Sequence, residues 1–242
     1  MMAEFRDMSR RWLAVAFAAA GFAVLTATAG CGSLKQIGAG AHNAPAKTFT
    51  ITSRVTTVVI NGGAASITVT GSARSTVLVS EQSSYSKTPP VTSRRVAGTT
   101  LTLSYSCGSQ LVCGVAYELK VPRGVAVQAS TRTGAITLTS IAGPVSAQTT
   151  AGLITAGDLT SPTAVLRSSA GGIDATFSAA PASVRASTNV GPITLAVPTS
   201  AAYNVSTHTY VGASTVTVRK STSSPHVITA SSDLGSITIS PS

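Results

Sequence analysis

The sequence predicts an all-β fold built as a repetitive coil, a right-handed parallel β-helix-like solenoid, preceded by an N-terminal signal or anchor helix. Three observations predict it. Ala, Ser, Thr, Val and Gly dominate while charged residues reach only 10% of 242 residues, a composition poor in Leu, Glu and Lys that disfavours helices and suits short strands joined by turns. A glycine-centred pattern recurs through the C-terminal half. The first 31 residues have the three-part plan of an export signal.

The leader comes first in the chain. Basic Arg10-Arg11 precedes an apolar run from Trp12 to Leu25, and small residues continue to Cys31. Residues 1–30 therefore read as a lipoprotein-type signal peptide. Thr28-Ala29-Gly30-Cys31 resembles the bacterial lipobox, with Thr28 standing where Leu is usual. The resemblance implies that Cys31 receives diacylglycerol and palmitate-type acyl chains, which together exceed the single chain that binds a bilayer only marginally. The alternative is an uncleaved anchor, since about 19 residues between Arg11 and Cys31 just suffice to span a bilayer. Both place the remainder outside the cytoplasm, at the extracytoplasmic face of the cell membrane. Ser9-Arg10-Arg11-Trp12-Leu13 also resembles a twin-arginine signal. Residues 31–48, rich in Gly and Ala and without apolar periodicity, read as a flexible tether.

Residues 49–242 form the repeat domain. Glycine is followed two residues later by Ile at Gly134, Gly152, Gly171, Gly191 and Gly235, at intervals of 18, 19, 20 and 44, the last spanning a weaker copy at Gly212. Aligned on these turn glycines, Val127, Val145, Ala164, Val184 and Ile228 form one apolar column, and Ala129, Ala147, Leu166, Ala186 and Ala230 form another. Thr131, Thr149, Ser168, Thr188 and Ser232 form a column of small hydroxyls, and Leu138, Ala156, Ala175, Leu195 and Ile239 a further apolar one. Each copy reads as a strand, a glycine turn and a second strand. About 19 residues at ~3.3 Å each give roughly 60 Å, one turn of a two- or three-sided coil. Stacking then sets Ile on Ile and Thr on Thr, with parallel pairing between coils. An antiparallel sandwich is the competing arrangement. Ahead of the repeats, strand-like segments run over 55–60, 66–70, 76–80, 100–104 and 117–121, with Ala65-Ser66-Ile67-Thr68-Val69 as a degenerate first copy.

Cys107 and Cys113 flank five residues between two of these segments, in a domain placed in an oxidising compartment. They read as a disulfide across a hairpin loop, with free thiols or a metal pair as alternatives. His42, His208 and His226 lack metal-ligand spacing, so no metal site and no cofactor is expected. Among the carboxylates Glu81, Glu118, Asp158, Asp174 and Asp233, the last two lie some three coils apart, against the two acids that a glycosidase sets across one bond. Gln148 and Arg167 share a column on adjacent coils as a polar ladder or a solvated face. No Gly-x-Ser-x-Gly elbow or phosphate-cradling loop occurs.

The formal charge is +10, and removing residues 1–30 takes Arg6, Arg10 and Arg11 against Glu4 and Asp7, leaving 14 bases against 5 acids. That excess reads as a solubilising surface charge or as attraction to an anionic envelope. Nucleic acid is not an expected partner, because no basic stretch is interleaved with aromatics.

The segments Ala65-Ser66-Ile67-Thr68-Val69, Tyr117-Glu118-Leu119-Lys120-Val121-Pro122, Leu195-Ala196-Val197-Pro198 and Gly235-Ser236-Ile237-Thr238-Ile239 resemble the bacterial β-strand-repeat "putative adhesin" family, domain of unknown function 4097, over about residues 50–240. Members usually carry Asp after the turn glycine, where Ala135, Leu153, Pro192 and Ser236 stand here. The resemblance implies a membrane-tethered β-solenoid without catalytic residues to carry over. The expectation is thus a non-enzymatic cell-envelope lipoprotein domain for binding, adhesion or structural presentation, partnered by the membrane through Cys31 and by wall glycan or another envelope protein. A carbohydrate-active β-helix enzyme and a sensory or regulatory partner of a membrane protein are the alternatives.

Overall fold

A computed structural model describes residues 41–64 and 66–242; the signal or anchor segment, Cys31 and most of the expected tether lie outside the described residues. The described chain is all β, without a helix. In order come β1 (His42–Asn43), β2 (Lys47–Ile51), β3 (Thr57–Asn61), β4 (Ile67–Ser72), β5 (Val77–Tyr85), β6 (Val91–Ala97), β7 (Thr100–Ser106) and β8 (Cys113–Pro122). Then come the repeats: β9 (Ala126–Thr133) with β10 (Ile136–Thr139), β11 (Val145–Ala151) with β12 (Ile154–Leu159), and β13 (Thr163–Ala170) with β14 (Ile173–Phe177). They continue with β15 (Ser183–Val190) and β16 (Ile193–Val197), β17 (Asn204–Val211) and β18 (Ser214–Val216), and β19 (Val227–Leu234) and β20 (Ile237–Pro241).

Each repeat gives its first strand to a nine-stranded sheet, ordered β17-β19-β15-β13-β11-β9-β3-β7-β6, and its second to an eleven-stranded one. The latter runs β18-β20-β16-β14-β12-β10-β4-β8-β5, with β1 and β2 both on β5. A strand pair with its turn glycine is here a rung. Neighbouring rungs pair in parallel, which removes the antiparallel alternative for the repeats; among the described residues the antiparallel pairs are β1–β5, β2–β5, β5–β8 and β6–β7.

The register follows from period-two alternation, because a slip of one residue would turn every apolar side chain outward. Ile67, Ile136, Ile154, Ile173, Ile193 and Ile237 are paired in one continuous column, and Val58, Val127, Val145, Ala164, Val184 and Ile228 in another across the core. All twelve are buried. Burying each aliphatic side chain is worth about 1.5–3 kcal/mol, and none of it is available to a rung standing alone.

The turn glycines are fixed by close approach. A Cβ on Gly171, whose φ is +144°, would overlap the carbonyl oxygen of Gly152 one rung below. The backbone closes the same seam, with Gly152 N donating to Ala170 O and Gly171 N to Val190 O.

Two features differ from the sequence expectation. The rungs do not stack in chain order throughout. The β17/β18 copy at Gly212 is outermost, and the last copy, β19/β20, lies between it and β15/β16. Inward positions explain the exchange: β19/β20 offers Ile228, Ala230, Ile237 and Ile239, whereas the outer copy has Thr207 in the alanine/leucine column and Ser214 in the isoleucine column, hydrogen-bonded to each other at 2.9 Å. A polar rung is tolerated only where water reaches it. The same exchange occurs at the other end, where β3/β4 lies between β7/β8 and β9/β10.

The second difference is the end of the expected tether. His42 and Asn43 pair with Tyr85 and Ser84, and β2 begins at Lys47, so strand pairing starts inside residues 31–48.

Candidate functional site

The predicted hydroxyl column is not a surface. Thr131, Thr149, Ser168, Thr188 and Ser232 are buried, and their hydroxyls donate to the carbonyls of Gly63, Gly134, Gly152, Gly171 and Gly191 at 2.9–3.2 Å. Thr209 does the same to Gly235 at 3.0 Å. Each hydroxyl thus satisfies a turn carbonyl of a neighbouring rung. The side chain must be small and must donate, which is why the column alternates only between Ser and Thr.

The outward hydroxyls come from other positions. On the eleven-stranded sheet Thr68, Thr137, Thr155, Thr194 and Thr238 lie in one register column, interrupted by Asp174. The two sheets differ in charge. The strands of the nine-stranded sheet carry Arg94, Arg95, Arg132, Arg167 and Arg185 against Asp233 alone. Those of the eleven-stranded sheet carry Lys47 and Lys120 against Glu81, Glu118, Asp158 and Asp174. Gln148 and Arg167 are direct neighbours on β11 and β13, and both side chains are solvent-facing.

The carboxylates are dispersed. Asp174 and Asp233 lie on different sheets. Asp158 accepts hydrogen bonds from Ser178 and, at 2.8 Å, from Ser140, and these hold its carboxyl below the usual carboxylate range. Glu81 is 3% exposed and points between the sheets, its Oε2 3.0 Å from Arg94 Nη1. The Arg94 guanidinium covers the Phe49 ring at 3.5 Å, so β2, β5 and β6 are clasped together over the end of the core. Glu81 Oε1 and the Tyr117 hydroxyl face no hydrogen-bond partner, and burial, then the Glu81 charge, pushes the Tyr117 phenol upward. Two clefts at this end, of about 260 and 210 Å³, are lined by one carboxylate each, Glu118 and Glu81. An acid pair across one bond, as glycoside hydrolysis requires, is not assembled from them.

Cys107 and Cys113 form a disulfide with Cα atoms 6.1 Å apart. It is not across a hairpin: β7 belongs to the nine-stranded sheet and β8 to the eleven-stranded one, so it closes the corner where the chain passes between sheets. The histidines are apart, His42 beside Tyr85, His208 beside Tyr210, and His226 with Nδ1 2.8 Å from Pro181 O. No group of three or more His, Cys, Asp or Glu that could hold a metal occurs among the described residues.

An exposed apolar ridge was not foreseen in the sequence. Val190, Leu234 and Val211 precede their turn glycines, are paired in register on adjacent rungs, and are 50%, 49% and 62% exposed. The signal was present in the position before each glycine, but legible only once the rung order was known.

No family model matches the chain, and no curated protein does. Among solved structures it is similar to a "putative cell adhesion protein" from Clostridium sporogenes, with a TM-score of 0.47 and 13% identity over 82% of this chain and 100% of that one. It is similar also to a "putative adhesin" from Bacteroides fragilis, with a TM-score of 0.49 and 15% identity over 82% of this chain and 97% of that one. A third, a "putative adhesin" from Parabacteroides merdae, gives a TM-score of 0.29 and 9% identity over 83% and 96%.

Proposed function

We propose that the chain is an extracytoplasmic lipoprotein, anchored through Cys31, whose β-solenoid of the adhesin-repeat type is a non-enzymatic module for binding or structural presentation at the cell envelope. The observation that carries this reading is the pair of long, regular sheet faces, one cationic and one rich in threonine. They are surfaces repeated rung by rung rather than a cleft gathered around reacting groups. Ligands for such a face are extended and repetitive themselves, as wall glycans are. The ridge of Val190, Leu234 and Val211 favours a second use of the same module, docking of another envelope protein, because adjacent exposed apolar side chains mark interaction surfaces.

Two measurements test the proposal. Cells expressing the chain and fed a radioactive fatty acid are expected to label it, with the label lost in Cys31→Ala. The purified chain is expected to sediment with isolated, protein-free wall material. Absence of label and of wall capture would overturn the reading, as would cleavage of a wall glycan by the purified chain.

A further inference from the structure

Resting on that binding role, we propose that Arg132, Arg167 and Arg185, with Gln128 and Gln148, form the site of the module for an extended anionic glycan. Four consecutive strands of the nine-stranded sheet, β9, β11, β13 and β15, contain no acidic residue. Their outward side chains form a grid fixed by the register. Arg167 sits beside Gln148 and Ser187, and Arg185 beside Val165, which lies two residues before Arg167 on the same strand. Gln148 pairs with Ser130, two residues before Arg132. Arg132, Gln148, Arg167 and Arg185 therefore run as one diagonal across the face. Neighbouring strands are about 4.8 Å apart and diagonal neighbours about 7–8 Å, so the three guanidinium groups reach a single linear chain laid obliquely over the sheet.

These arginines are free to act. The one ion pair among the described residues joins Arg94 to Glu81, and Arg132, Arg167 and Arg185 are all exposed. A guanidinium fork takes a carboxylate or phosphate in two parallel hydrogen bonds, while Gln128 and Gln148 supply donors and acceptors for sugar hydroxyls. Stacking aromatics are missing from these four strands, which disfavours single-stranded nucleic acid. Their outward apolar side chains of any size are Val165, half-buried, and Val190 at the turn end of β15, too few and too far apart for insertion into a bilayer.

The test measures binding of the full chain to polygalacturonate and to uncharged dextran in mild detergent, and, after detergent removal, to vesicles of phosphatidylglycerol with phosphatidylcholine. The triple variant Arg132→Gln/Arg167→Gln/Arg185→Gln is compared with Arg74→Gln/Arg123→Gln/Arg219→Gln, which removes equal charge from the connections. The parent is expected to bind polygalacturonate and not dextran. The face triple should weaken that binding about tenfold to thirtyfold, as three exposed charge contacts together would, and the connection triple by less than about threefold. Equal losses in both triples would overturn the site in favour of diffuse net charge. Tight vesicle binding lost in the face triple, without polygalacturonate binding, would overturn it in favour of a membrane surface. Wall capture that survives the face triple would also overturn this site while leaving the binding role of the domain intact; loss of wall capture in the parent would remove that role itself.

Discussion

The middle rungs and the end rungs are built from the same repeat yet are held by different forces. From β9 to β16 chain order and spatial order agree, and every inward column is buried, apolar except for the Ser/Thr column beside the turns. Toward the C-terminal end the outermost rung exchanges isoleucine for Ser214 and alanine for Thr207, whereas the opposite end is covered by antiparallel strands and clasped by Glu81, Arg94 and Phe49. The difference teaches that a stack of this kind terminates in two ways: the apolar column turns polar, or extra strands cover it. Both keep water off the interior isoleucines.

The comparison breaks first at the glycine seam. Gly171→Ala sets a methyl group against the neighbouring carbonyl at a φ that L residues avoid, so a loss of about 3 kcal/mol or more is expected in urea unfolding. Gly157→Ala, whose methyl would meet nothing within 4 Å, should change stability by less than about 0.5 kcal/mol. Next, Ile173→Ala in the middle should cost about 3 kcal/mol, and Val216→Ala at the polar end about 1 kcal/mol, since its site is only partly buried and can be refilled by water.

At the covered end, Arg94→Gln leaves the Glu81 carboxylate buried without its cation. An expected loss of about 2 kcal/mol at neutral pH, reduced in the double variant with Glu81→Gln, would separate pairing from packing. The smallest contrast is Thr188→Val against Thr209→Val. The first strands the Gly171 carbonyl in the interior, at about 1 kcal/mol; the second strands that of Gly235 beside solvent, and should cost less, by thermal unfolding of the two variants side by side.

Much of the middle was legible because its information is local. Period-two alternation and the glycine interval fix which residue of one rung meets which of the next, and the columns through Ile136, Ile154, Ile173 and Ile193 follow without knowing anything else. The order of the end rungs was not legible, because it is a competition between whole copies. Only a comparison of Thr207 and Ser214 with Ala230 and Ile237, in the context of what each would bury against, decides which copy goes inside. Cys107 and Cys113 were legible as a pair, but their corner was read as a hairpin because a short spacing between two strand-like segments does not say whether the second joins the same sheet. The hydroxyl column was visible, yet its partners were not, since a carbonyl that needs a donor leaves no mark in a sequence. Charge segregation between the sheets was hidden for a related reason: Arg132, Arg167 and Arg185 are scattered along the chain and meet only through the register.

The exchanged rung order is the sharpest statement about how this sequence folds, and cysteine pairs on the outer face of the eleven-stranded sheet test it directly. Thr194 and Thr238 face each other across β16 and β20, while Thr215 lies one strand farther out on β18. Under mild oxidation, with the products mapped by mass spectrometry, Thr194→Cys/Thr238→Cys should form a disulfide in nearly every molecule and Thr194→Cys/Thr215→Cys should not. Efficient closure of the second pair and failure of the first would mean that the copies stack in chain order, and the account of what closes the C-terminal end would be wrong.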